Sequence, residues 1–333
     1  MIEHPLQQRP TSARGATRQP GLAGVLALAW LAVVLIGGIL APWIARGGGD
    51  PAARAPVPWS PAERLNDRNV SRLSPGSWST DPLVPRERAA RPGPASDEEI
   101  RTELRRNPDS RPFYLGSDTL GQDVLSNIVH GCRVALLVGS VAAGVALTLG
   151  VSLGALMGYL GGWTDRVLMR IVEVLMSVPT LFILVLAAAV LPRSPVGIMA
   201  TIGALSWTGI ARLTRAECMR VRSADFVLAA RAAGLPTPRI IVRHVLPSAI
   251  TPALVEAPFL FASAILAEAA LAYLGLMPDD TASWGRLLSQ APGAGGDFAW
   301  WLGVFPGACL FLTVLSCNAL GEIARSRSTV DRG

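Results

Sequence analysis

Six stretches of this chain are apolar over a length suited to crossing a bilayer: residues 21–44, 134–160, 172–191, 196–211 as the core of a fourth, 248–277, and 300 to near 321. A hydrocarbon layer is spanned by ~20 apolar helical residues, so the pattern predicts an all-α membrane protein with six transmembrane helices. The intervening segments are unequal. Residues 45–132 are long, polar and rich in proline and arginine, whereas 161–165 and 192–195 have room only for turns and 279–297 for a short loop. Within the long segment, Ser96 and Glu99 have capping-box spacing and Asp97 and Arg101 lie four apart, which predicts a short helix over 97–106. Most of the remainder has the composition of a segment without a core of its own.

The first apolar run follows a polar, arginine-bearing start, as in a secretory signal peptide. Its apolar part exceeds the ~7–15 residues of such a signal and no small-residue cleavage site stands out. The pattern therefore reads as an uncleaved first membrane helix over 21–44, with 1–20 as a polar tail.

Between the fourth and fifth runs lies DFVLAARAAGLPTPRIIVRHVLPSA, residues 225–249. Arg231, Arg239, Arg243 and His244 keep it out of the hydrocarbon. Alanine favours a helix over 225–233. Gly234 can take the positive φ that ends one, and Pro236 and Pro238 prevent its continuation. A second short helix follows, and Pro247 suits the start of the next membrane helix. Ala229, Ala230, Ala232 and Ala233 leave little side chain in the way of an approaching surface. Two readings fit: a seat for a partner protein, or an amphipathic helix lying on the lipid interface.

Charge sets the orientation. Arg166 and Arg170 flank the 161–165 turn, Arg212, Arg215, Arg220 and Arg222 cluster after the fourth run, and Arg325, Arg327 and Arg332 follow the last. Arginines beside membrane helices mark the cytoplasmic side. That places 161–165, 217–247 and both termini inside, and 45–132, 192–195 and 279–297 outside. The arginines of 45–132 do not oppose this, because loops beyond ~60 residues cross largely regardless of charge. Trp43, Trp300 and Trp301 stand at run ends, as interfacial anchors do.

Composition removes other function classes. The net charge of +6 follows from these topology signals and requires no nucleic acid. All 30 basic residues are arginine. A chain without lysine has no P-loop lysine to reach ATP phosphates and no Schiff-base lysine. Cys132, Cys218, Cys309 and Cys317 lack zinc-ligand spacing, and they outline no disulfide framework. Gly150, Ser152 and Gly154 spell G-x-S-x-G, but in the middle of an apolar run rather than on a strand-to-helix turn. His4, His130 and His244 are expected elsewhere, so small-residue helix packing is the better reading. No catalytic residue and no metal site is expected.

Several motifs carry a resemblance. Residues 114–139, YLGSDTLGQDVLSNIVHGCRVALLVG, share Leu115, Gly116, Asp118, Gly121, Asp123, Ser126, Gly131, Arg133 and Leu136 with the signature of peptide-importer permeases. Ser117, Gln122, Asn127 and Ala135 depart from it. Ala229, Ala230, Gly234, Leu246 and Pro247 match the "EAA" loop of binding-protein-dependent ABC importer permeases, with Leu228 in place of the glutamate. ILAEAALAYLGL around Glu268, Trp284 with Gly285, and residues 305–322 resemble further family segments, so the likeness covers roughly 114–322. The chain thus resembles a permease of the dipeptide/oligopeptide/nickel type, as its C-type subunit.

That resemblance implies a type I ABC importer transmembrane domain over 133–322, a long extracytoplasmic loop after helix 1, a cytoplasmic tail over 323–333, and residence in the cell inner membrane. It implies a coupling helix within 217–247, where Asp225, Phe226, Leu228, Ala229, Ala230, Arg231 and Gly234 dock on an ATPase subunit. The implied partners are two ATP-binding cassette ATPase subunits carrying ATP and Mg, a homologous second permease subunit and an extracytoplasmic solute-binding protein. The chain itself is expected to bind no cofactor. Peptide, nickel and other solutes share these motifs, with di- and oligopeptides foremost.

Glu256 and Glu268 fall in the fifth run, and a carboxylate at membrane depth usually faces protein or a wet cavity. Both are candidates for a translocation path. Pro258 lacks the N–H that would bond the Leu254 carbonyl, loosening the helix beside Glu256. Glu256 is expected either to meet a cationic solute group or to bond a neighbouring helix as a protonated carboxyl. Glu268, nearer the outer end, suits a structural hydrogen bond better. The same carboxylates would suit an ion-gradient-driven carrier, against which the Ala-rich loop argues. The 45–110 segment suits an insertion, a cap for the binding protein, or the partner surface of a non-transporting scaffold.

Overall fold

The structure, a computed structural model, describes residues 22–44, 74–75, 77–78, 112–119, 122–191, 194–278, 281–292 and 298–330. The helix expected over 97–106, the 1–20 tail and most of the 45–110 segment lie outside the described residues. The long helices are α1 (Leu22–Ile44), α2 (Val124–Leu160), α3 (Gly162–Ser177), α4 (Thr180–Val190) and α5 (Pro195–Val221). Then come α6 (Asp225–Ala232), α7 (Thr237–Ile240), a π-helical turn (Ile241–Val245), α8 (Leu246–Ala249), α9 (Thr251–Tyr273), α10 (Trp284–Ser289) and α11 (Trp300–Val330). A short antiparallel ladder departs from the all-helical expectation: β1 (Ser77–Trp78) pairs with β2 (Pro112–Phe113), Ser77 opposite Phe113.

Among the described residues, five helices are long and apolar enough to cross a membrane: α1, α2, α5, α9 and α11. The chain is a multi-pass membrane protein. The span expected as one straight helix over 172–191 is instead broken, with α3 and α4 meeting at 87°. Pro179 is the cause. It has no N–H for the helical ladder, and Val178 before it takes the extended conformation (φ −104°, ψ 132°) that a residue preceding proline prefers.

Other boundaries move for local reasons. α2 begins at Val124, so residues 124–132 are helix rather than the end of the expected 45–132 loop. The Asp123 carboxylate caps it, accepting from the Ser126 N–H at 2.8 Å. α5 runs on to Val221, so Arg212, Arg215 and Arg220 ride a helix that leaves the apolar layer rather than a loop. α11 likewise continues to Val330, through most of the expected 323–333 tail. The 161–165 turn is reduced to Gly161 and Gly162, at φ +67° and +59°.

The core is a seam of small residues. Gly150, Gly154 and Gly158 recur at four-residue intervals along α2 and face α5. A Cβ on Gly154 would stand 2.6 Å from the Ala211 carbonyl oxygen, and one on Gly158 2.5 Å from that of Arg215. Gly203 of α5 reciprocates, with the Ala142 carbonyl oxygen 2.6 Å from the place of its Cβ. Membrane helices gain little from burying apolar surface in an apolar solvent, and close backbone approach replaces that drive. Ser152 is exposed on another face of α2, so the G-x-S-x-G pattern is the trace of this seam. Around it, α1 is tied to α11 by Trp30, whose indole N–H donates to the Thr313 hydroxyl at 3.0 Å.

Gly154→Val forces the two backbones apart and is expected to destabilise the fold by about 1–3 kcal/mol, whereas Ser152→Ala leaves stability within ~0.5 kcal/mol. Thermal denaturation in detergent micelles checks both.

Candidate coupling surface and inner cleft

α6 starts after Ala224 in extended conformation, with Asp225 in its first turn and Arg231 in its last, the favourable arrangement for a helix dipole. It ends where Gly234 takes φ +73°, with the Gly234 N–H bonded to the Arg231 carbonyl at 2.9 Å and that of Leu235 to Ala230 at 3.2 Å. Val227 and Ala230, three residues apart, are buried with Ala155 and Tyr159 of α2 and Cys218 and Val221 of α5. Phe226 and Leu228 are 49% and 48% exposed, and Asp225, Ala229 and Arg231 are exposed as well. The two alanines expected to act together therefore part company. Ala230 belongs to the chain's own core and Ala229 to its surface.

One polar contact fixes α6 to α2, and two more fasten the helix ends above it. The Arg231 guanidinium lies 4.9 Å from the Tyr159 ring centroid and its Nε donates to the phenol oxygen at 3.1 Å. Arg222 donates to the carbonyls of Gly158 at 3.3 Å and Tyr159 at 3.4 Å, satisfying the open C-terminal end of α2. Arg215 grips Asp165 of α3 with two bonds, at 2.5 and 2.7 Å. Beyond Gly234 the chain is helical almost without interruption from Thr237 to Tyr273, with the π turn just before Pro247. α6 is thus packed against the ends of α2 and α5 and leads along the chain into α9. The motif marks α6 as a whole, Ala229 on its open face and Ala230 on its buried one, but Tyr159, Arg222 and Asp165 carry no such motif and come from other parts of the sequence.

A cleft of about 790 Å³ opens along α5 and α9. Its wall includes Ser206, Arg212, Arg215, Glu256, Phe259 and Ser263. Glu256 stands 3.5 Å from Arg325 of α11, whose guanidinium also lies 5.3 Å from the Phe259 ring centroid. Glu268 is not among the residues lining this cleft. It is 3% exposed, and the Ser283 hydroxyl is its hydrogen-bonding neighbour. The two carboxylates expected on one path are thus set apart, one on the cleft wall and one packed under the loop that leads into α10.

The 114–139 signature builds the opposite end. Gly116 (φ +85°) turns the chain, its carbonyl accepts from the Val124 N–H at 3.1 Å, and the Asp118 carboxylate accepts from the Gln122 N–H at 2.8 Å. Trp301 donates its indole N–H to the Ser117 carbonyl at 3.2 Å, and Trp284 to that of Ile128 at 3.0 Å. The side-chain oxygen of Gln290 accepts from both the N–H and the hydroxyl of Thr119. Trp301, expected to anchor in the lipid interface, is instead 9% exposed and serves this knot, while its neighbour Trp300 is exposed. Burial pushes the Asp123 carboxyl up to about 7, Asp118 adding to the shift and the Ser126 and Leu125 N–H groups opposing it.

Residues 150–327, from the middle of α2 into α11, match the model of a family described as the binding-protein-dependent transport system inner membrane component. The chain belongs to that family of multi-pass membrane transport subunits. It is 33% identical over 216 residues to the oligopeptide transport system permease protein OppC of Bacillus subtilis, covering 65% of this chain and 70% of that one. To the Haemophilus influenzae OppC it is 35% identical over 210 residues, covering 63% and 67%. To the di/tripeptide transport system permease protein DppC of Pseudomonas aeruginosa it is 34% identical over 214 residues, covering 63% and 69%.

Ala230→Leu overpacks the α6 seat and is expected to cost about 1–3 kcal/mol, whereas Ala229→Leu stays within ~0.5 kcal/mol; chemical or thermal denaturation of the detergent-solubilised chain separates them. Asp123 generates a pH dependence. Its carboxyl holds a proton up to about 7 when folded, against ~3.9 when unfolded. The folded state binds the proton more tightly, so this contribution is complete below pH ~4 and is lost as pH rises through ~7. Asp123→Asn keeps a capping acceptor and is expected to flatten the stability profile across that window, read as melting midpoints from pH 5 to 8.

Proposed function

We propose that this chain is the transmembrane permease subunit of an ATP-driven importer that moves di- and oligopeptides into the cytoplasm. The carrying observation is α6: a short helix with one face locked into the ends of α2 and α5 and the other left open, in a chain of the binding-protein-dependent transport family. The names of its relatives, oligopeptide and di/tripeptide permeases, favour peptides over nickel as the solute.

In this reading α6 is the coupling helix. Asp225, Phe226, Leu228, Ala229 and Arg231 meet a groove on an ATP-binding cassette ATPase subunit, while Ala230 and Gly234 hold the helix and its end in place from the chain's own side. Two ATPase subunits carry ATP and Mg, since a chain without lysine supplies no P-loop of its own. A homologous permease completes the pathway, and an extracytoplasmic solute-binding protein delivers the solute. Counting α3 and α4 as one broken span makes six crossings of the inner membrane. Both termini and α6 are then cytoplasmic, and the signature knot and the 45–123 segment lie outside. ATP-driven closure of the ATPases moves α6, and its contacts with Tyr159, Val221 and the π turn pass that movement to α2, α5 and α9. The cleft between α5 and α9 is the part of the pathway open to the inside, where Glu256, held only loosely by Arg325, meets the peptide's ammonium group. Glu268 keeps a structural role beneath the outer loop.

Ala229→Trp fills the open face of α6 without entering the chain's core. In the complete complex it is expected to lower ATP-dependent peptide uptake at least ~10-fold, equivalent to ~1.4 kcal/mol or more, and to weaken copurification of the ATPases. Uptake at the full rate by a correctly assembled Ala229→Trp complex would refute the coupling role. Uptake that needs no nucleotide would point to an ion-gradient carrier instead.

A further inference from the structure

The cleft wall holds three charged side chains, and they are not equally engaged. Arg215 is satisfied by the two-pronged bond to Asp165. Glu256 faces Arg325 across 3.5 Å. Arg212 has no carboxylate partner among the described residues. The residue is exposed and lines the cleft, and one Nη reaches the Met176 sulfur of α3 at 3.6 Å. A thioether is a weak acceptor and leaves the remaining donors of the guanidinium fork unused. The hydroxyls nearby are engaged with their own helices: Ser206 donates to the Ile202 carbonyl at 2.7 Å and Ser263 to that of Leu260 at 2.9 Å. Arg212 also lines a smaller pocket with Glu173 of α3, but Glu173 is ion-paired to Arg170, so an arginine with free donors on the wall of a wet cleft is placed to receive an anion. Its planar fork matches a carboxylate with two parallel bonds, a geometry no lysine reproduces.

We propose that Arg212 is the residue of the pathway that receives the carboxylate of the transported solute. This rests on the reading of the chain as a peptide permease and deepens it. A free peptide is a zwitterion, and the cleft offers a cation on α5 and an anion on α9 within one void of about 790 Å³. That volume is in the range that holds a small ligand. Arg212 takes the C-terminal carboxylate and Glu256 the ammonium, so the cleft favours solutes with both ends free. The contact is exposed and its arginine is only weakly held, which suits a station that the solute leaves as well as enters.

The test uses the complete importer in nanodiscs, nucleotide-free and without the binding protein, so that any preference belongs to the membrane subunits. Binding of a radiolabelled tripeptide and of its C-terminal amide is measured by scintillation proximity, with assembly of each variant checked by size-exclusion chromatography. The wild type is expected to prefer the free carboxylate about 10-fold, the scale of one charge-assisted pair. Arg212→Gln is expected to erase that preference by weakening the acid form while leaving the amide as it was, and Arg212→Lys to retain part of it. If the wild type binds the peptide and Arg212→Gln binds acid and amide with unchanged preference, the subsite is refuted and the permease reading stands. Equal loss of both forms in an assembled Arg212→Gln complex also refutes it, since that marks a structural role. If the wild-type complex binds neither form, the peptide reading falls together with the subsite.

Discussion

The backbone-to-backbone approach of α2 and α5 is the constraint on which the rest of the molecule depends. In an apolar solvent the helices have little to gain from hiding methyl groups, so contact distance decides. Gly150, Gly154 and Gly158 on one side and Gly203 and Ala211 on the other let the two helices close to a spacing that any larger side chain would prevent. That closeness sets Tyr159 beside Cys218 and Val221, and these side chains form the socket that takes Val227 and Ala230. The seat of α6 is therefore built at the end of the glycine seam, not on α6 itself. Arg222 and Arg231 then secure the joint through the carbonyls and phenol at the end of α2.

The arginines sort by what they face. Arg215 and Arg222 are spent on Asp165 and on the carbonyl end of α2, and both act as fasteners between helices. Arg231 uses an aromatic ring and a phenol. Arg325 bridges α11 to Glu256 with a long, half-exposed contact. Guanidinium groups that bind flat acceptors in several ways explain how a chain with no lysine builds the polar end beside α6 from one basic residue type.

Much of this was legible along the chain. Apolar run lengths placed the crossing helices, because a membrane imposes one length on every span. The Ala-rich stretch, Gly234 and the two following prolines gave α6 and its stop, because those signals act within a few residues. The Asp123 cap was hidden, since an acidic residue before an apolar run also reads as loop, and the expected helix start was placed at 134 instead of Val124. Pro179 sat in plain view inside a run long enough to be one span. Hydropathy averaged over a window is blind to a missing N–H, so the 87° break leaves no mark on it. The split between Ala229 and Ala230 required knowing which face of α6 meets Tyr159, and that is set by packing from residues 70 positions away. For Glu256 and Glu268 depth along the helix separates a structural role from a path-lining one, but which neighbours each meets, Arg325 or Ser283, cannot be counted from the sequence.

α2 has one further consequence. It is a single helix of 37 residues with no proline in it. At ~1.5 Å per residue that is about 55 Å, well beyond the ~30 Å of a bilayer's hydrocarbon. Its first turn is knotted to Trp301 and Gln290 through the residues that precede it, and its last turn is clamped to α6. One unbroken helix therefore connects the two ends of the molecule. If partners engage both ends, as in the proposed function, and α2 couples them, each alters the affinity of the other by the same factor.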